Sequence, residues 1–146
     1  MKSLIYNWII IELQGLLNIS RTGEIESLSK EANGTKFKLT DGVAVANDGS
    51  IYFTDASSKY DLSQFIFDIL EGNPYGRLLK YNPATNETSV LADRLYFPNG
   101  VVISPYQDYI VFCETPMKLL INYLCFNTLS LIHLVIWVSC NINNFG

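Results

Sequence analysis

From Leu16 onward, apolar and polar positions alternate in short runs broken by turn residues. Residues 16–20 and 24–28 flank Thr22-Gly23, and residues 42–46 and 51–54 flank Asn47-Asp48-Gly49. A period of two over such lengths marks strands with one buried face. Asp-Gly between two apolar runs predicts a hairpin with a type I′ turn, which needs positive φ at both central positions. The period changes at residues 56–76. There Leu62, Phe65, Ile66, Ile69 and Leu70 recur at i, i+3, i+4, i+7 and i+8, one face of a helix. Asp61 with Gln64 three residues on forms a capping-box pattern, and Gly72 is placed to end the helix.

After this insertion the strand pattern begins again, and it repeats what came before. Leu16-Leu17 corresponds to Leu78-Leu79, Asp41-Gly42-Val43 to Asn99-Gly100-Val101, and Ile51-Tyr52-Phe53 to Ile110-Val111-Phe112, with Asp55 against Glu114. The offsets are 62, 58 and 59 residues. Turns fall at residues 82–86 and 104–108, both rich in Asn, Pro, Ser and Asp. Each unit thus reads as four short strands over about 40 residues, the size of a β-propeller blade. The competing arrangement is two hairpin pairs of a β-sandwich. The expected fold is all-β: about two propeller blades at 15–116, an inserted amphipathic helix, and an apolar tail at 117–146 that is helical if ordered. In a propeller the helix would lie at the rim of the central channel, where ligands enter. Phe65, Ile66 and Ile69 are its candidate rim residues, either as a lid or as a cover for the blade end.

Two charge features narrow the function. The net charge of −4 and the lack of any Lys/Arg cluster exclude a nucleic-acid partner. Residues 119–140 carry no Asp, Glu, Lys or Arg, and 119–139 is long enough to cross a bilayer as a helix, although Asn122, Asn127 and His133 interrupt it. It is the one segment through which the chain would meet a membrane. The N-terminal apolar run is broken by Glu12 with no small-residue cleavage site after it, so it is not read as a signal peptide. Cys113, Cys125 and Cys140 lack metal-ligand spacing, and His133, in an apolar run, reads as a core residue.

Three segments carry a family resemblance: "FKLTDGVAVANDGSIYFTDASSKY", "FIFDILEGNPYGRLLKYNPATNETSVL" and "LYFPNGVVISPYQDYIVFCET". Over residues 15–116 they resemble the strictosidine synthase-like proteins of plants, relatives of adipocyte plasma membrane-associated protein and of the paraoxonase arylesterases. The resemblance implies a six-bladed propeller acting on a small organic substrate at the channel mouth, by amine–aldehyde condensation or by hydrolysis. It also implies a glycosylated protein of the secretory pathway or vacuole. The sequons at Asn18, Asn33 and Asn86 agree with that compartment. The family's catalytic glutamate lies in a later blade that nothing here matches. No residue of this chain is therefore assigned catalysis, and Glu114 reads as the structural end of a strand. A chain without that region is expected to be inactive alone.

In the arylesterase branch a channel Ca²⁺ is held by oxygen ligands. Asn99 matches one of them, with Asp41 in support, while Thr40 stands where a second Asn would be. Calcium takes six to eight oxygens, so the expectation is no cofactor in this chain alone and Ca²⁺ only in a complete propeller. Residues 1–14 and 117–146 match no family segment, and the tail is expected to be read-through of non-coding sequence or a membrane anchor. Two alternatives to the synthase-like reading follow: a calcium-dependent arylesterase or lactonase, and a non-enzymatic, membrane-anchored interaction protein.

Overall fold

The computed structural model describes residues 8–12, 15–115 and 120–125. Its centre is a four-stranded antiparallel meander: β6 (Thr40–Val45), β7 (Ile51–Asp55), β8 (Gly76–Asn82) and β9 (Glu87–Leu95), hydrogen-bonded in that order. Before it stands a three-stranded sheet of β1 (Trp8–Glu12), β2 (Gly15–Ile19) and β3 (Ile25–Ser29). A small hairpin follows, β4 (Glu31–Ala32) with β5 (Thr35–Lys36). After the central sheet comes a third sheet of β10 (Pro98–Ile103), β11 (Tyr109–Glu114) and β12 (Leu120–Cys125). The all-β reading holds.

The phase of the repeat differs from the sequence reading. The complete blade runs from Thr40 to Leu95, and so joins the second half of the first sequence unit to the first half of the second. A repeat fixes a period but not where the unit begins. The insertion between β7 and β8 hid their pairing. Their burial reveals it: β7 is buried at every position and β8 at most, as central strands packed on both faces must be.

Alternation sorts the blade's side chains between two cores. Val43, Ile51, Phe53, Leu79 and Tyr81 face the first sheet and pack with Leu16, Leu28 and Phe37. Phe37 meets Phe53 edge-on at 5.4 Å between ring centroids. Ala44, Tyr52 and Leu78 face the third sheet and pack with Val101, Ile110 and Phe112. The register follows this division, with Phe53 opposite Leu79 and Thr54 opposite Leu78. Each fully buried large apolar side chain contributes about 1.5–3 kcal/mol, so these two cores dominate the stability of the stack.

Turn chemistry also departs in detail. At Asn47-Asp48-Gly49 only Gly49 has positive φ (86°), and its N–H donates to Ala46 O at 3.0 Å. This is a type I turn followed by one left-handed residue rather than type I′. The adjacent positive-φ pair is at Asn33-Gly34 (51° and 72°), in the β4–β5 hairpin. In the tail, Leu120–Cys125 is a strand paired with β11, not helix. The rest of 117–146, including most of the candidate span at 119–139, lies outside the described residues. Among those described, no helix is long and apolar enough to cross a membrane.

Candidate functional site at the rim

The two innermost strands, β6 and β10, run side by side, and each is broken at the same place by a register shift. One lies between Thr40 and Val43, the other between Pro98 and Val101. Bulges re-aim side chains and are common beside functional sites. Here they hold Asp41-Gly42 and Asn99-Gly100, the pairs matched by the sequence repeat. Gly42 is required by close approach: a Cβ there would lie 2.7 Å from Asn99 O and 2.8 Å from Val101 N. Thr54, fully buried, stitches the bulges together by accepting from Gly42 N and donating to Asn99 O, both at 2.8 Å. The candidate oxygen donors Asp41 and Asn99 therefore come to adjacent bulges at one end of the blades; the Asp41 side chain is exposed, and desolvation by the neighbouring chain still raises its carboxyl. Just before the second bulge, Phe97 is buried at φ 47°, a strained conformation for a bulky residue.

Behind the bulges sit two equivalent acids. Asp55 Oδ1 accepts from Leu39 N at 3.2 Å and Lys38 N at 3.4 Å, and Glu114 Oε1 accepts from Tyr96 N at 2.5 Å. Asp55 is completely buried and pairs with Arg77, whose Nη2 lies 2.5 Å from Oδ2. The remaining Arg77 donors reach the carbonyls of Ala32, Thr35 and Lys36 at 3.3–3.5 Å, tying the β4–β5 hairpin to the blade. Burial raises the Asp55 carboxyl, and Arg77 with the two backbone donors opposes that rise. Glu114 thus ends its strand with Oε1 engaged by the Tyr96 N–H.

The insertion covers the same end. A 3-10 turn (Leu62–Gln64) leads into α1 (Phe65–Glu71); Asp61 caps the turn by accepting from Ser63 N, and Gly72 closes the helix at φ 65°. The caps are where the sequence placed them, but the buried face is not. Only Ile69 of the apolar stripe reaches a core, with Leu39, Ala56 and Phe97, while Leu62, Phe65, Ile66 and Leu70 point outward. Asp68 is the buried helix residue, accepting a short hydrogen bond from the Ser57 hydroxyl, and burial raises its carboxyl. Ser57 in turn accepts from Lys59 N and Tyr60 N at 3.2 and 3.0 Å. A polar anchor thus turns the apolar side of the helix to solvent, where Phe65 and Ile66 are exposed. At the helix end Glu71 gathers Lys59 Nζ (2.8 Å), Tyr60 OH (2.5 Å), Tyr75 OH (2.7 Å) and Asn73 Nδ2 (2.8 Å). Those donors, Lys59 first, hold its carboxyl down to about 2.

Asn33 and Asn86 occupy exposed turns, whereas the Asn18 side chain is buried on β2 with Nδ2 donating to Glu26 Oε2 at 3.2 Å. Among the described residues no three His, Cys, Asp or Glu side chains gather to hold a metal. Asp41 and Asn99 provide two oxygen donors where calcium takes six to eight, so the described residues alone do not fit a calcium site.

The strictosidine synthase family model matches residues 41–128. The chain belongs to the strictosidine synthase family. The match runs past Pro116 and takes in β12. Strictosidine synthase-like protein 7 of Arabidopsis thaliana is 58% identical over 106 residues, covering 72% of this chain and 29% of that protein. Adipocyte plasma membrane-associated protein of Rattus norvegicus is 42% identical over 85 residues, covering 58% of this chain and 23% of that protein. This strictosidine synthase family chain thus spans less than a third of the length of those relatives. Among solved structures, a gluconolactonase of Xanthomonas campestris superposes with a TM-score of 0.62 at 18% identity, over 83% of this chain and 40% of that one. A chain of the nidogen–laminin complex does so at 0.57 and 15%, over 82% and 39%. These likenesses are of fold, and the fold is a fragment of a β-propeller.

Proposed function

We propose that these sheets form part of a propeller acting on small organic molecules, with the rim as the surface the substrate meets. The paired bulges carry this reading: they bring Asp41 and Asn99 together at the end of the blades where α1 exposes Phe65 and Ile66. Two polar oxygen groups beside an apolar helix are suited to orienting a ligand with one polar end. Asp55 and Glu114, at this end, are engaged by backbone N–H groups, so neither is assigned proton transfer, and the chain alone is read as inactive because the family's catalytic glutamate lies in a later blade. Family membership favours synthase-like chemistry, and the secretory pathway as its location.

A second reading, a calcium-dependent lactonase or esterase, draws on the same Asp41–Asn99 pair. It requires further oxygen ligands, and no step is assigned to calcium here.

Amide chemical-shift mapping of the 146-residue chain against arylalkylamines, aldehydes and lactones tests the proposal. Shifts are expected at residues 40–43, 62–70 and 98–101, without turnover. Shifts confined to the turns at 46–49 and 104–108, on the opposite end of the strands, would sink it. Calcium-dependent shifts at 41 and 99 would favour the second reading.

A further inference from the structure

The insertion carries a second cluster of charged and aromatic groups, apart from the Asp41–Asn99 pair. Lys59, Tyr60, Glu71, Asn73 and Tyr75 meet where the chain enters and leaves α1, with the Lys59 ammonium among them. Lys59 Nζ donates to Glu71 Oε1 and Oε2 at 2.9 and 2.8 Å and to Tyr75 OH at 3.2 Å. It also lies 4.9 Å from the ring centroids of both Tyr60 and Tyr75, whose planes are inclined at 73°. Two inclined aromatic faces with a carboxylate beside them are the recognition chemistry of organic ammonium ions.

The cage has supports besides Lys59. Three neutral donors hold the Glu71 carboxylate: Tyr60 OH at 2.5 Å, Tyr75 OH at 2.7 Å and Asn73 Nδ2 at 2.8 Å. Ser58 ties down Tyr75, its N–H and hydroxyl both donating to Tyr75 O at 3.0 Å. Lys59 itself is weakly held. Its side chain is 44% exposed and that of Glu71 29%, and exposed ion pairs contribute little net stability. Displacing it should cost an incoming cation about tenfold or less in affinity. Beside the cage, Phe67 is 54% exposed and its ring lies 6.4 Å from that of Tyr60. It offers an apolar surface for the group that an ammonium carries.

We propose that Tyr60, Tyr75 and Glu71 form a binding site for organic ammonium ions with an apolar arm, and that Lys59 occupies it as a displaceable placeholder. The incoming ammonium takes the Glu71 carboxylate and the two ring faces, its arm lies on Phe67, and Lys59 swings to solvent. No covalent bond is made or broken. Every group in the site belongs to residues 58–75, so it requires neither Asp41 nor Asn99 and is independent of the function proposed for the rim.

Titration of the 146-residue chain with tetramethylammonium chloride and with benzylammonium chloride tests it, with sodium chloride at equal ionic strength as the reference. The readouts are the ring signals of Tyr60 and Tyr75 and the ε-methylene signals of Lys59. Wild type should show saturable shifts at all three residues, with a dissociation constant of about 10–100 mM for an exposed cation–π site. Benzylammonium, which also reaches Phe67, should bind more tightly than tetramethylammonium. Lys59→Met should tighten both by about tenfold, whereas Lys59→Arg, which keeps a charged placeholder, should not. A merely loosened insertion would not separate those two variants. Adding Glu71→Gln to Lys59→Met should abolish the gain. Shifts at Tyr60 and Tyr75 without shifts at 40–43 and 98–101 would support this site while the rim reading fails, and the reverse would overturn this site alone. Absence of saturable shifts in wild type, or binding by Lys59→Met no tighter than by wild type, overturns the proposal.

Discussion

Asp55 and Glu114 stand 59 residues apart in the chain and do the same work in successive sheets. Each ends the second strand of its sheet and turns its carboxylate onto the backbone that leads into the innermost strand, at Lys38-Leu39 and at Tyr96. The following residues repeat the relationship, with Ala56 N donating to Leu39 O and Thr115 N to Phe97 O. A carboxylate accepting backbone N–H groups satisfies donors that would otherwise be stranded where the chain enters a strand. These latches set where the bulges begin, and therefore where Asp41 and Asn99 point.

Asp55 also carries an ion pair with Arg77. Replacing Arg77 with Met should cost about 3–5 kcal/mol, because it leaves a buried carboxylate without its counter-charge. The pH dependence has a defined sign. Burial already raises Asp55 above 3.8, and removing Arg77 deletes an opposing influence. The deficit of Arg77→Met relative to wild type should therefore be full at pH 7 and shrink as pH falls through the raised value and the carboxyl protonates. Denaturant unfolding at pH 7 and pH 5 checks this, and Asp55→Asn in the same chain should recover much of the loss.

Gly42 and Gly100 occupy equivalent bulges but tolerate a side chain differently. A Cβ at Gly42 meets backbone atoms at 2.7–2.9 Å, whereas one at Gly100 meets nothing within 4 Å. Gly42→Ala should force β6 from β10 and cost about 1–3 kcal/mol, the range for overpacking. Gly100→Ala should fall within about 0.5 kcal/mol of wild type, as open sites do. Thermal unfolding of the two variants gives the comparison directly.

Glu71 should titrate near 2 rather than 4.5. A depressed folded-state value means that its contribution is present above 4.5 and fades as pH falls from there toward 2. Carboxylate chemical shifts across that range provide the test, and a midpoint at 4–4.5 would mean that the Lys59–Tyr60–Tyr75 clamp is not formed in solution.

Much of this architecture was legible in the residues. The turn at Gly49 and the caps at Asp61 and Gly72 follow from residue chemistry that acts locally. The period of the repeat was visible for the same reason. The phase of the blade was hidden because β7 and β8 pair across an intervening helix. The consecutive apolar residues of "IYF" (51–53) and "LL" (78–79) on either side of that helix were the available signal, marking both as strands buried on two faces. The outward turn of α1 was hidden more deeply. Periodicity shows that a helix has an apolar stripe, but the Ser57–Asp68 hydrogen bond decides which side meets the blade. At the site, the repeat exposed Asp41 and Asn99 as counterparts, whereas the Asp55–Arg77 pair spans 22 residues and has no local signature.

The account's central claim is that acidic latches at equivalent strand ends fix the rim. Amide hydrogen exchange at Leu39 and Tyr96, in wild type and in Asp55→Ala and Glu114→Ala, tests it most directly. Both amides should be protected in wild type. Asp55→Ala should release Leu39 together with its neighbour Lys38, and Glu114→Ala should release Tyr96, each leaving the other site protected. Free exchange at Leu39 and Tyr96 in the wild-type chain, or protection that survives both substitutions, would contradict the account.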